Sequence, residues 1–332
     1  HGLGIMDSSE MSPTLDDIKA ARERIVHHIE KTPLISCRSI NDACGRKIFM
    51  KAENFQKSGS FKVRGAFNAV LSALEKDGVK SLVTHSSGNH GVALAKVGRV
   101  LNIPVTVVMP KTAPPFKRKS ATSFGAEVIE CEPTHAERER KCEEVQRNTE
   151  AMFVSSSQDL RVIAGQGTVA LEMLEKQPDL DAIVVPVGGG GLLSGVATAA
   201  KAIKPSIQIY GAEPEIANSC YKSLRSGQRT TLQEYPNTIA DGLRTNIGSI
   251  TWPIIKQKVD DLILVTEDEI ASAMALIWER AKIVVEPSSA VALAAVKSHS
   301  KAKGLAGISK VGVVLTGGNV GFKVHSSSMN IH

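Results

Sequence analysis

Ser58-Gly59-Ser60-Phe61-Lys62-Val63-Arg64-Gly65-Ala66 sets one lysine between small residues and an Arg-Gly-Ala that opens an apolar run through Phe67, Val70, Leu71 and Leu74. Glycine and serine let a backbone approach a ligand closely. No carboxylate stands within four residues of Lys62 on either side. Burial of such a lysine lowers its pKa and frees the amine as a Schiff-base nucleophile. Taken alone, a lysine in a short motif is an ordinary solvated side chain. The surrounding chain decides between the two readings.

Upstream, the spacing of Ile18, Ile25 and Ile29 predicts a helix over 16–30, and Ile48, Phe49 and Met50 a short strand over 47–51. The Lys62 loop comes next, then a helix from about Gly65 to Leu74. Downstream the elements alternate. Strands are expected at 81–84, 105–109, 127–130 and 152–154, with helices at 92–101, 115–124 and 134–150 between them. Thr134-His135-Ala136-Glu137 reads as a capping box. The pattern continues with a helix over 162–176, a strand over 182–187, a helix over 192–203 and a strand over 207–212. A second capping box, Thr266-Glu267-Asp268-Glu269, opens a helix to about Lys282; a helix over 288–298 and a strand over 311–315 follow. Repeating β-α units mean parallel sheets with crossover helices, an α/β architecture. The lengths predict two lobes, with 82–157 a small inserted domain and 1–81 with 158–332 the large one.

Composition narrows the function classes. The 332 residues are 42% hydrophobic and 22% charged, which is globular, and no apolar run has membrane-spanning length. The net charge of +6 is dispersed and aromatics are 4%, which disfavours nucleic acid and suits small anionic ligands. Cys37, Cys44, Cys131, Cys142 and Cys220 include no C-x-x-C pair, so neither a zinc site nor a disulfide framework is expected, and a reducing cytoplasmic setting fits. His1 to Ile5, ahead of Met6, lacks a signal peptide's apolar core and reads as a cloning remnant.

Small-residue loops sit at the strand ends, where open α/β sheets bind ligands. Gly188-Gly189-Gly190-Gly191, between a strand and a helix, offers exposed N–H groups and a helix dipole, which together make a phosphate cradle. It is neither a Walker A loop nor a Gly-x-Gly-x-x-Gly fingerprint. A tight strand–helix turn is the plain alternative, though four glycines exceed what a turn needs. A buried amine beside a phosphate cradle suggests pyridoxal phosphate, with Asn89 suited to its phenolic oxygen and the neutral Thr316 to its pyridine nitrogen.

Ser60-Phe61-Lys62-Val63-Arg64-Gly65, Ser86-Ser87-Gly88-Asn89-His90, Gly188 to Gly191 and Thr316-Gly317-Gly318-Asn319 together resemble the fold-type-II pyridoxal-phosphate enzymes, with their tryptophan-synthase-β-like fold. Within them the chain is similar to the group of serine racemases, aspartate racemases and serine/threonine dehydratases, from about Asp16 to Val320. The resemblance implies Lys62 as the cofactor lysine and Ser87 as the base on the opposite face, a position where dehydratases commonly carry alanine. Ser86, Ser87 and Asn89 are expected at the substrate carboxylate, and Arg138 near the substrate. Further implications are a Mg²⁺ or Ca²⁺ ion at Glu213, the Ala217 carbonyl and Ser219, where the family usually has an acid, and ATP as an activator near Lys57, Lys282 and Asn319 of a homodimer. Ser155-Ser156-Ser157 matches the serine triplet of animal aspartate racemases, and three hydroxyls suit a second carboxylate. The expected activity is racemisation of a small amino acid, aspartate favoured, with side β-elimination. Serine racemase, dedicated dehydratase and a non-enzymatic sensor are the alternatives.

Overall fold

In a computed structural model the described residues are 12–76, 78–86, 88–298 and 305–321. The chain opens with α1 (Leu15–Ile25), β1 (Leu34–Ile35), α2 (Arg38–Cys44), β2 (Lys47–Ala52) and α3 (Lys62–Leu74). It continues with β3 (Leu82–His85), α4 (Asn89–Leu101), β4 (Val105–Pro110), α5 (Pro115–Ser123), β5 (Glu127–Cys131), α6 (His135–Thr149) and β6 (Met152–Phe153). Then come α7 (Leu160–Lys176), β7 (Ala182–Pro186), α8 (Gly191–Ile203), β8 (Gln208–Pro214), α9 (Ser219–Ser226) and α10 (Thr251–Lys258). The last elements are β9 (Asp261–Val265), α11 (Glu267–Leu276), α12 (Pro287–Ser298) and β10 (Lys310–Leu315).

Two sheets result. One has the order β1-β2-β10-β7-β8-β9, the other β5-β4-β3-β6. All neighbours are parallel except the short β1–β2 pair. Parallel strands are buried on both faces, and β7 shows it: Ile183 and Val185 join the core with α7 and α8, while Val184 joins the core with α11 and α12. In the smaller sheet Leu82, Val105 and Val107 pack toward α3 and α4, and Val83 and Val108 pack toward Cys131 and Cys142. α3 and α7 cross with backbones almost touching. A Cβ on Gly165 would lie 2.7 Å from the Arg64 carbonyl, so only glycine fits there.

The structure moves several expected boundaries. α1 stops at Ile25, and Lys62 is the first residue of α3 rather than part of the preceding loop. The box at Thr266 and Glu269 is reciprocal, but Thr134 caps alone, because the Glu137 carboxylate is drawn off to Arg140. The helix expected to reach Lys282 is α-helical only to Leu276 and then passes into a π turn, Ile277–Ala281. β1, α2, α9, α10 and β9 had no counterpart in the sequence reading. All five cysteines are free thiols.

Candidate active site

Every loop of the expected site lies at the carboxyl end of a strand or at the helix that follows it. Lys62 heads α3, and Thr316 follows β10. The two are tied: the Phe61 N–H donates to the Thr316 carbonyl at 3.0 Å, and Ser60 bridges to Gly317. The Lys62 side chain is partly exposed, but its amine is enclosed and donates to the Ser156 carbonyl at 3.2 Å. Enclosure pushes the Lys62 pKa down to about 8, with the Glu286 carboxylate opposing it. His90 lies behind it, fully enclosed. Burial, helped by Lys62, pulls its pKa down to about 3, so the ring is neutral.

A charged network locks the first turn of α3. The Arg64 guanidinium is wholly buried, 2.7 Å from Glu53 and 2.8 Å from Glu172, and Lys51 meets Glu172 at 2.6 Å. The sequence reading named Arg64 only as part of the motif; its partners Glu53 and Glu172 lie too far along the chain to be paired with it by spacing.

The glycine loop passes a test of fit for an anion. Gly190 has φ +89°, a region glycine adopts freely, and it caps α8. The N–H groups of Gly188 to Gly191 have no acceptor among the described residues, while Thr251 Oγ1 donates to the Gly189 carbonyl at 2.7 Å and fixes the loop. An orphaned row of N–H groups at a helix N-terminus suits a phosphate. With an enclosed free amine nearby, the residues fit pyridoxal phosphate.

Ser87 lies outside the described residues. Its neighbour Ser86 accepts the Gly88 N–H at 3.1 Å. Asn89 heads α4, donates to Glu286 and accepts from Asn319 Nδ2 at 2.9 Å. Glu286 was not foreseen, although a lone acid between an apolar pair and Pro287 was a visible signal. In the triplet, Ser155 Oγ accepts the Gln158 N–H at 2.9 Å and Ser157 Oγ accepts from Gln158 Nε2 at 3.0 Å. Both hydroxyl hydrogens thus stay free to donate.

The triplet borders a cleft of about 740 Å³ that Arg138, Arg229 and Arg244 also line, together with Glu139 and Glu143. Arg138 and Arg244 each lie 6.0 Å from the Tyr235 ring, which also lines the cleft. Arg229 donates to the Ile247 carbonyl and Arg244 to that of Thr238, and Arg138 Nε is buried without a partner. No ion pair with a carboxylate engages the three among the described residues. Arg229 and Arg244 went unnoticed in the sequence, where each is one basic residue in a loop.

Glu213 is buried at the end of β8 and takes the N–H groups of Cys220 at 3.0 Å and Tyr221 at 2.8 Å. Burial pushes its pKa up to about 8. Ser219 Oγ accepts the Ile247 N–H at 2.9 Å. Among the described residues no three His, Cys, Asp or Glu side chains form a metal cluster. One carboxylate, the Ala217 carbonyl and a hydroxyl fit a hard cation that takes most of its shell from water. Lys57 and Lys282 are exposed, Lys57 lying 3.6 Å from Glu30, while Asn319 is bound to Asn89 and the Ser58 carbonyl.

The sequence model of the family described as "Pyridoxal-phosphate dependent enzyme" matches residues 25–317. A serine racemase from Dictyostelium discoideum is 47% identical over 96% of this chain and 98% of its own. The structure of maize serine racemase superposes with a TM-score of 0.91 at 41% identity, covering 93% of this chain and 94% of that one. A crystal structure of a pyridoxal 5'-phosphate-dependent aspartate racemase superposes at 0.88 and 40% identity, covering 93% and 96%.

Proposed function

The chain belongs to the pyridoxal-phosphate dependent enzyme family, and on that footing we propose that it racemises a small amino acid, L-serine first, with side β-elimination. The observation that carries this reading is the enclosed Lys62 amine held against Ser156, close to a glycine loop whose N–H groups await an anion. Serine as substrate is supported by the serine racemases to which the chain is similar along nearly its whole length.

When bound, the cofactor supplies the electron-withdrawing ring that acidifies the substrate's α-carbon proton. Gly188 to Gly191 hold its phosphate, Thr316 meets the ring nitrogen as a neutral hydroxyl, and Asn89 serves its phenolic oxygen. Lys62 moves the proton on one face and Ser87 on the other, while Ser86, Ser87 and Asn89 hold the substrate carboxylate. Residues 82–157 form a small mobile lobe over the large one in this reading. A hard divalent cation at Glu213 and ATP near Lys57, Lys282 and Asn319 act as effectors of a cytoplasmic homodimer. For the cation, the support is a buried carboxylate with no cationic side chain beside it among the described residues.

A second reading, aspartate as substrate, has its own support. The Ser155 and Ser157 hydroxyl hydrogens are free to donate, and they border a cleft whose three guanidiniums have no carboxylate ion pair among the described residues. A chiral assay of L-serine and L-aspartate side by side, with and without ATP and Mg²⁺, tests both. D-Serine is the expected product, with D-aspartate if the second reading holds. Conversion of neither removes the racemase assignment.

A further inference from the structure

Lys117 drew no attention in the sequence, where it stands among other basic residues in Phe116-Lys117-Arg118-Lys119. Unlike a solvated lysine it is 3% exposed. From α5, on the smaller sheet, it reaches across to the larger one. Its ammonium lies 2.5 Å from Asp241 Oδ2 and 3.3 Å from Glu286 Oε2. It also lies against the described part of the Ser86–Asn89 loop: a Cβ built on Gly88 would sit 3.4 Å from Lys117 Nζ. Glu286, 1% exposed, in turn accepts from Asn89 on that same loop. Burial works against the ammonium, but Glu286 and then Asp241 outweigh it and keep its pKa above the ordinary lysine value.

We infer that Lys117 is a positioning residue: one buried cation clamped by two carboxylates of the large lobe holds the small lobe and its substrate loop closed. Among the described residues no other ion pair with both partners so buried joins residues 82–157 to the rest of the chain. Without the ammonium, both large-lobe carboxylates lose their bond to the small lobe and Glu286 stays buried with no cation beside it, a cost that opening to water relieves. An amino acid that binds the closed form then has its apparent affinity reduced by the closed fraction, while saturating substrate restores closure. KM therefore rises and kcat holds. A residue that merely fills space gives the opposite pattern, because a misfolded fraction lowers kcat at unchanged KM.

The test uses the cofactor-loaded enzyme with L-serine. Lys117→Met is expected to raise KM at least about tenfold with kcat within about threefold, and Asp241→Asn to raise KM about threefold in the same sense. Small-angle scattering of the substrate-free holoenzyme is expected to give a larger radius of gyration for Lys117→Met than for the wild type. If Lys117→Met does not fold, Asp241→Asn carries both measurements. A fall in kcat at unchanged KM, or an unchanged KM and radius, overturns the inference. The kinetic arm rests on the racemase reading. If the wild type converts neither serine nor aspartate, that reading fails by itself and scattering still decides the clamp.

Discussion

Enclosure, working against the Glu286 carboxylate, is what frees the Lys62 amine. Its pKa of about 8, against an ordinary 10.5, means that between those values the unfolded chain keeps a proton the folded one has lost. The contribution of this group to stability therefore rises with pH across that window. In cofactor-free protein, borohydride-trapped attachment of pyridoxal phosphate to Lys62, followed by mass spectrometry, should climb with an inflection near pH 8. An inflection above pH 10 would mark Lys62 as a solvated lysine. Ser87→Ala should suppress racemisation of L-serine by at least about a hundredfold, the usual scale of a lost acid–base group, and elimination far less; equal losses would make Ser87 a binding residue. Lys62, Asn89 and the glycines could be picked out as candidates because each sits in a short local string. Glu286 and Lys117 could not, because what makes them special is a partner over a hundred residues away, and a single sequence carries no sign of that meeting.

The first turn of α3 is where the buried charges matter. Arg64 bridges Glu53 and Glu172 with no solvent access, and removing one member of such a group strands the others. Arg64→Met should cost about 3–5 kcal/mol in urea unfolding. A loss below 1 kcal/mol would mean that water or rearrangement compensates the carboxylates. The reciprocal helix start at Thr266 and Glu269 was readable, while the one at Thr14 and Asp17 went unread. The Thr134 box failed because Arg140 competes for the same carboxylate, a choice that spacing alone does not reveal. The stretch between β8 and β9 was opaque for another reason: α9 and α10 are eight residues each, too short for a periodic signal to build up.

Across the whole molecule, β6 and the 227–248 loop bring their residues to one cleft, and on the proposed function substrate choice is expected to depend on it. Replacing Ser155, Ser156 and Ser157 by His, Pro and Asn should lower the aspartate-to-serine ratio of kcat/KM by about tenfold, the scale of one lost charge-assisted contact. An unchanged ratio in the chiral assay would remove the triplet from specificity. The β-α alternation gave the parallel sheets correctly, but strand order was beyond it, and that order governs timing. β10 is the last strand among the described residues, yet it lies between β2 and β7. During synthesis, N-terminus first, those two strands present open edges until residues 310–315 leave the ribosome. Lys62 and Thr316 meet only at that moment, so the pocket the two border is assembled only once β10 has docked between β2 and β7.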